Sequence, residues 1–400
     1  MAIDIFKLIR KLIISMVNTN INTSKPVFYI TLRNIGILPR PYLAKIAFKG
    51  IKTFYLKDII KSFKLWRLIS LLDKIPYSLF KYHLWKIIGI IMYLFSIKMK
   101  NSNNIIILNP IGVSEIKMLN KKSNVKVIMD YMDVIINDKG KLIKYHEEAV
   151  RSADGIIFWS KILMQYIVSK YNIKNYTYIP YGVCLKLFNP REFNSMWFRN
   201  LYGLKSKFIV TYSGGVWREK TSGLDFHGID KLPQIFAKLH RKLGKRVIFV
   251  VNCPYDHILF KKFRKYNILN KIIWIKPIKF NAPLRVGLFS SSDVLILTSS
   301  RYPPVFYAER MKTFEYMASG KAIIAEKTPG ICNILRHNYN AYLTELGNVN
   351  EIVDGIIKLY DNKNLRFSLG EKAYIDIKKK YNWNILSIYY RNFIKKIFNR

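Results

Sequence analysis

The chain predicts an α/β protein made of two doubly wound, parallel-sheet domains, and three observations carry that expectation. Short uncharged runs rich in Ile, Val and Leu recur along the 400 residues, the pattern of strands buried on both faces. Stretches with helical spacing separate most of these runs, and strict alternation is what crossover helices on a parallel sheet require. The length suits two domains of ordinary size, each able to bury a core. An apolar content of 50% with 14% aromatic residues excludes a disordered chain.

In order, Val27 to Leu32 and Lys52 to Leu56 read as strands, with the loop RNIGILPRP after the first. Lys57 to Lys98 is helical in pattern and rich in Lys, Trp, Tyr and Phe. Asn104 to Leu108 and Val125 to Asp130 are strands of the buried type with a helix between them. The second runs into DYMD, which puts Asp130 and Asp133 at a strand's carboxyl end. Paired carboxylates there serve either as a base toward an acceptor hydroxyl or as turn formers and helix caps. Glu147 to Ser160 gives a helix and then a short strand.

Phe208 to Ser213 is another buried strand, and it runs into Gly214 and Gly215. Arg218 and Lys220 follow before the next helix, an order that lets backbone N–H groups and cations meet a diphosphate. Val247 to Val251 and Ile272 to Ile275 are strands, with helices around Ile258 to Arg264 and Pro283 to Ser290. Asp293 to Leu297 is a strand leading into the turn-prone SSRYPPVFY. A helix is expected from Ala308 to Ser319, closed by Gly320, with the strand Lys321 to Ala325 directly after it. On its wheel Met311, Phe314, Met317 and Ala318 share one face, Lys312, Thr313, Tyr316 and Ser319 turn away, and Glu315 falls at the edge of the apolar stripe. Strand, loop, helix and strand in this order put the helix start at a ligand crevice, with free N–H groups for a phosphate. Ala341 to Thr344 is the last strand; helices from about Val349 to Lys379 and from Ile385 to Phe398 close the chain.

The segment MKTFEYMASGKAIIAEKTPGICNIL resembles the donor-site signature of glycosyltransferase family 4, retaining enzymes of the GT-B fold that use nucleotide sugars. EEAVRSADGIIFWS and YIPYGVCLKLFNP resemble further family segments. The resemblance implies that Glu315 holds the ribose hydroxyls and that the helix start, with Glu309, Met311, Lys312 and Thr313, faces the diphosphate. Arg218 and Lys220 fit the family's basic pair beside Gly214 and Gly215. Three positions depart from the pattern. Tyr307 stands where the family has a second glutamate, with Glu309 two residues on. His227, before Gly228, stands where it has a lysine. Tyr181-Gly182-Val183-Cys184 replaces Asn-Gly-Val-Asp. The acidic DYMD resembles a segment on the acceptor side. The fold implied is two Rossmann-like domains facing a central cleft, 1–195 for the acceptor and 196–380 for the donor, with 381–400 as a helix crossing back to the first domain.

The net charge is +42, from 67 Lys and Arg against 25 Asp and Glu. That field favours nucleotide diphosphates, acidic membrane surfaces or nucleic acid, and the absence of any RNA-recognition or zinc-finger spacing makes nucleic acid the weakest of the three. Cys184, Cys253 and Cys332 are odd in number and unpaired in spacing, which points to a reducing compartment. Residues 1–18 and 84–97 are too short or too interrupted by Lys to span a bilayer; core packing and a membrane surface explain them equally. The expectation is therefore a metal-independent retaining glycosyltransferase in the cytoplasm or peripheral on the membrane's cytoplasmic face. It has no permanently bound cofactor, a nucleotide-diphosphate sugar as donor and a glycan or lipid-linked acceptor. A GT-B epimerase and a degenerate sugar- or membrane-binding GT-B protein stay open as alternatives.

Overall fold

The computed structural model describes residues 27–31, 40–48, 51–55, 79–97, 105–119, 125–132, 140–186, 188, 196–219, 222–278 and 283–398. Within them lie two six-stranded sheets in which every strand pairing is parallel. Residues 1–18, the loop at 32–39, Asp133 and Lys220 fall outside the described residues.

One compact unit draws on residues 1–159, 164–179 and 387–400. Its strands are β1 (Val27–Thr31), β2 (Lys52–Tyr55), β3 (Ile105–Leu108), β4 (Lys126–Tyr131), β5 (Gly155–Phe158) and β6 (Tyr176–Tyr178), ordered β2-β1-β3-β4-β5-β6. The four residues of β3 are all buried, as their uninterrupted apolar run requires. Gly155 opens β5 because a Cβ there would stand 3.0 Å from Phe393 of the terminal helix, Trp383–Phe398.

The other unit draws on residues 160–163 and 180–386. Its sheet holds β7 (Phe208–Ser213), β8 (Val247–Asn252), β9 (Ile272–Ile275), β10 (Val294–Leu297), β11 (Ala322–Glu326) and β12 (Tyr342–Thr344), ordered β12-β11-β10-β7-β8-β9. Phe236 of the helix Leu232–Leu243 stacks on Phe249 of β8 at 4.2 Å and anchors a core that includes Phe208, Val210, Ile296 and Ile324.

The units divide at 179/180, not at 195/196, and the last helix passes from one to the other at Ser387. The reason is local. Val183 bridges to Asn382, and the Trp383 N–H donates to the Val183 carbonyl at 3.0 Å, so the chain after β6 already belongs with the second unit. Among the described residues no helix is long and apolar enough to cross a membrane.

Candidate active site

Strand order in the second sheet reverses between β7 and β10, and in doubly wound sheets the ligand crevice opens at the carboxyl ends of the strands at such a point. Three segments meet there: Gly214 and Gly215 after β7, Thr298 to Ser300 after β10, and the helix Met311–Ala318. This helix starts three residues later than its sequence suggests, because Arg310 takes an extended conformation (φ −71°, ψ 140°) and acts as N-cap. It is also no amphipathic surface helix. Every residue from Lys312 to Ala318 is buried, including Lys312, Thr313 and Tyr316, which the wheel turned outward. Tyr316 is held inside by its hydroxyl, which accepts from the Ser213 N–H at 2.8 Å.

The helix start carries two buried cations. Arg310 is 9% exposed, and its Nη2 donates to Ser299 Oγ at 2.7 Å while Nε and Nη1 have no hydrogen-bond partner. Lys312 is 7% exposed; its Nζ donates to Tyr212 Oη at 3.2 Å and lies 4.4 Å from the centre of that ring. Among the described residues neither forms an ion pair. Burial, then repulsion from Arg310, holds the Lys312 ammonium well below the usual lysine range, and burial lowers Arg310 too. Thr313 Oγ1, one residue on, is likewise buried without a partner.

Gly214 makes room for this arrangement: a Cβ there would stand 2.3 Å from Lys312 Nζ. Gly215 does the same for Trp217, whose Nε1 would lie 2.9 Å from its Cβ, and its carbonyl faces His227 Nδ1 at 3.1 Å. Backbone N–H groups at a helix start, two cations lacking counter-ions and a side-chain-free loop make a cluster suited to a compact dianion.

The other expected site residues are placed differently. Glu315 has no exposed surface; both its oxygens face Arg285, with Nε donating to Oε1 at 3.1 Å and Nη2 to Oε2 at 2.5 Å. Arg285 keeps its charge against its own burial because of that carboxylate. Arg218 has no donor left for a ligand: Asp256 takes Nε and Nη2, Asp230 takes Nη1 and Nη2, and the Gly223 carbonyl takes Nη1. Glu309 accepts from the Lys161 N–H at 3.0 Å and from Asn333 Nδ2 at 2.6 Å, so it joins loops. Met311 is half-buried in the first turn. In the first unit Asp130 is wholly buried, ion-paired with Arg40 at 3.1 Å and accepting from Trp159 Nε1, a framework position instead of an open base.

Residues 224–376 match the family described as glycosyl transferases group 1. Over these residues the chain is similar to that family. An uncharacterised glycosyltransferase of Methanocaldococcus jannaschii is 25% identical over 195 residues, 49% of this chain and 47% of its own length, so the chain spans about half of that relative. Sucrose-phosphate synthase of Thermosynechococcus elongatus aligns at a TM-score of 0.69 with 13% identity, over 94% of this chain and 100% of that one. HepE of Anabaena, in complex with UDP-glucose, aligns at 0.67 with 12% identity, over 93% and 100%. The fold is GT-B. The matched stretch begins after the Gly214 loop and contains both Arg310 and Lys312.

Proposed function

We propose that the protein is a retaining glycosyltransferase that moves a sugar from a nucleoside-diphosphate donor to a hydroxyl of a glycan or lipid-linked acceptor, with the donor's diphosphate bound at the Met311 helix start. The observation that carries this is the pair of buried cations, Arg310 and Lys312, without counter-ions beside Gly214. An unpaired buried charge is costly, and a bound dianion removes that cost for both at once. HepE, which shares the fold, is described in complex with UDP-glucose, which supports a nucleotide sugar as donor.

The chemistry follows from the charges. As the bond from the anomeric carbon to the bridging phosphate oxygen breaks, that oxygen gains negative charge. The two unpartnered nitrogens of Arg310, the Lys312 ammonium and the first N–H groups of the helix stabilise the charge where it forms. Arg218 keeps the loop in place through Asp230 and Asp256 and does not contact the leaving group. A ribose at Glu315 requires Arg285 to yield acceptor positions on the carboxylate, since two of its roughly four lone-pair sites are occupied. Calorimetric titration with UDP-, GDP-, ADP- and dTDP-glucose tests the reading. One of them should bind, Lys312→Met should weaken that binding by about a hundredfold or more, and an absence of binding by the native protein would overturn it.

A further inference from the structure

His227 sits in the same cluster with its tautomer fixed. The Gly215 carbonyl can only accept, so the Nδ1 at 3.1 Å carries the hydrogen in the neutral ring, and Nε2 is left with its lone pair. The helix start and the loop after β7 act on the ring, and two further segments hold the His227 backbone. Lys312 and Arg310 act on the ring from the helix start, and Trp217 stacks on it at 5.7 Å and 22°. The Asp225 carboxylate is occupied by the backbone N–H groups of His227 and Asp230, and the Thr298 hydroxyl donates to the His227 carbonyl. Burial first and then the two cations bring the imidazole down to about 3, so it is neutral.

Resting on the diphosphate reading above, we propose that His227 takes up one proton at Nε2 when a diphosphate binds, so that the bound dianion faces three cationic groups. The proton comes from solvent, and no other bond forms or breaks. Two negative charges entering beside Lys312 and Arg310 cancel the repulsion from these cations and attract the imidazolium, which offsets the burial that is the larger cause of the neutral ring. The stacked Trp217 presents a π-face to the resulting imidazolium. Because the complex holds one more proton than the free protein, affinity rises as the pH falls through the imidazole range, by at most about tenfold per pH unit.

The test is calorimetric titration near pH 6.5 with the nucleotide sugar that binds, among UDP-, GDP-, ADP- and dTDP-glucose, in two buffers of different ionisation enthalpy. Both phosphates of these probes are esterified and carry no titrating proton near neutrality. The native protein is expected to take up about half to one proton per ligand bound. His227→Asn, which keeps a donor for the Gly215 carbonyl, is expected to bind without proton uptake. If that variant does not fold, 15N NMR of the imidazoles of the native protein reads the same event: one of the six histidines should become doubly protonated on adding ligand. Binding without proton uptake, or uptake that persists in His227→Asn, overturns this proposal and leaves the diphosphate site standing. No binding of any of the four probes overturns both.

Discussion

Arg310 and Lys312 hold positive charge where solvent is absent and where the helix itself opposes it, since the start of a helix favours anions. The sequence reading put Lys312 at the diphosphate but passed over Arg310, and it gave the cationic role to Arg218 and Lys220 by their position after β7. Arg218 could not be judged that way, because Asp230 and Asp256 reach it from 12 and 38 residues away. A charge held at a cost to the fold should show in stability. Lys312→Met is expected to raise the melting temperature of the ligand-free protein by a few degrees, corresponding to about 1 kcal/mol; a lower melting temperature would contradict the account.

Two buried histidines give a second prediction at this scale. Burial holds His146 at about 4, and burial with two cations holds His227 at about 3, against an ordinary value of 6.5. Both folded values lie below the unfolded one, so between them the unfolded chain binds more protons, and stability falls as the pH drops below 6.5 through that window. The slope reaches at most about 1.4 kcal/mol per pH unit for each. Urea unfolding should therefore have a lower midpoint at pH 5 than at pH 7.5, with the difference reduced in His146→Gln. Equal midpoints would remove the argument.

Among elements, the strands were the most legible feature, because a strand buried on both faces is an uninterrupted apolar run whatever its neighbours: β7 and β9 lie where their sequences put them. The Met311 helix was read with the wrong face. Lys312, Thr313 and Tyr316 are polar by type, and only Tyr212 and Ser213 across the sheet end explain why they lie inside. Arg285 was missed because no motif marks it and its partner lies 30 residues on. Two substitutions test these elements. Gly214→Ala should leave the fold intact, since the lysine tip can move, and cost at least tenfold in nucleotide-sugar affinity by displacing Lys312. Glu315→Ala leaves Arg285 buried without its anion and should destabilise by about 3 to 5 kcal/mol in chemical denaturation. Unchanged stability there would mean that the pair is not held in solution.

For the whole molecule, a charge of +42 makes association with any anion dependent on salt. Ile90 is exposed on the helix Leu79–Ile97, and Trp85 and Tyr93 of the same helix are half-buried. Anionic vesicles should co-sediment with the protein at low ionic strength and release it as salt rises, whereas neutral vesicles should not bind. Retention on neutral vesicles would instead assign the contact to apolar insertion.

Arg310 and Lys312 are proposed to bind the donor's diphosphate. Titrating the native protein and Lys312→Met side by side with UDP-, GDP-, ADP- and dTDP-glucose reads it most directly. The account predicts saturable binding of at least one nucleotide sugar by the native protein and a loss of about a hundredfold or more in the variant, the worth of a charge-assisted contact inside a buried site. Equal affinity of the two proteins would contradict it.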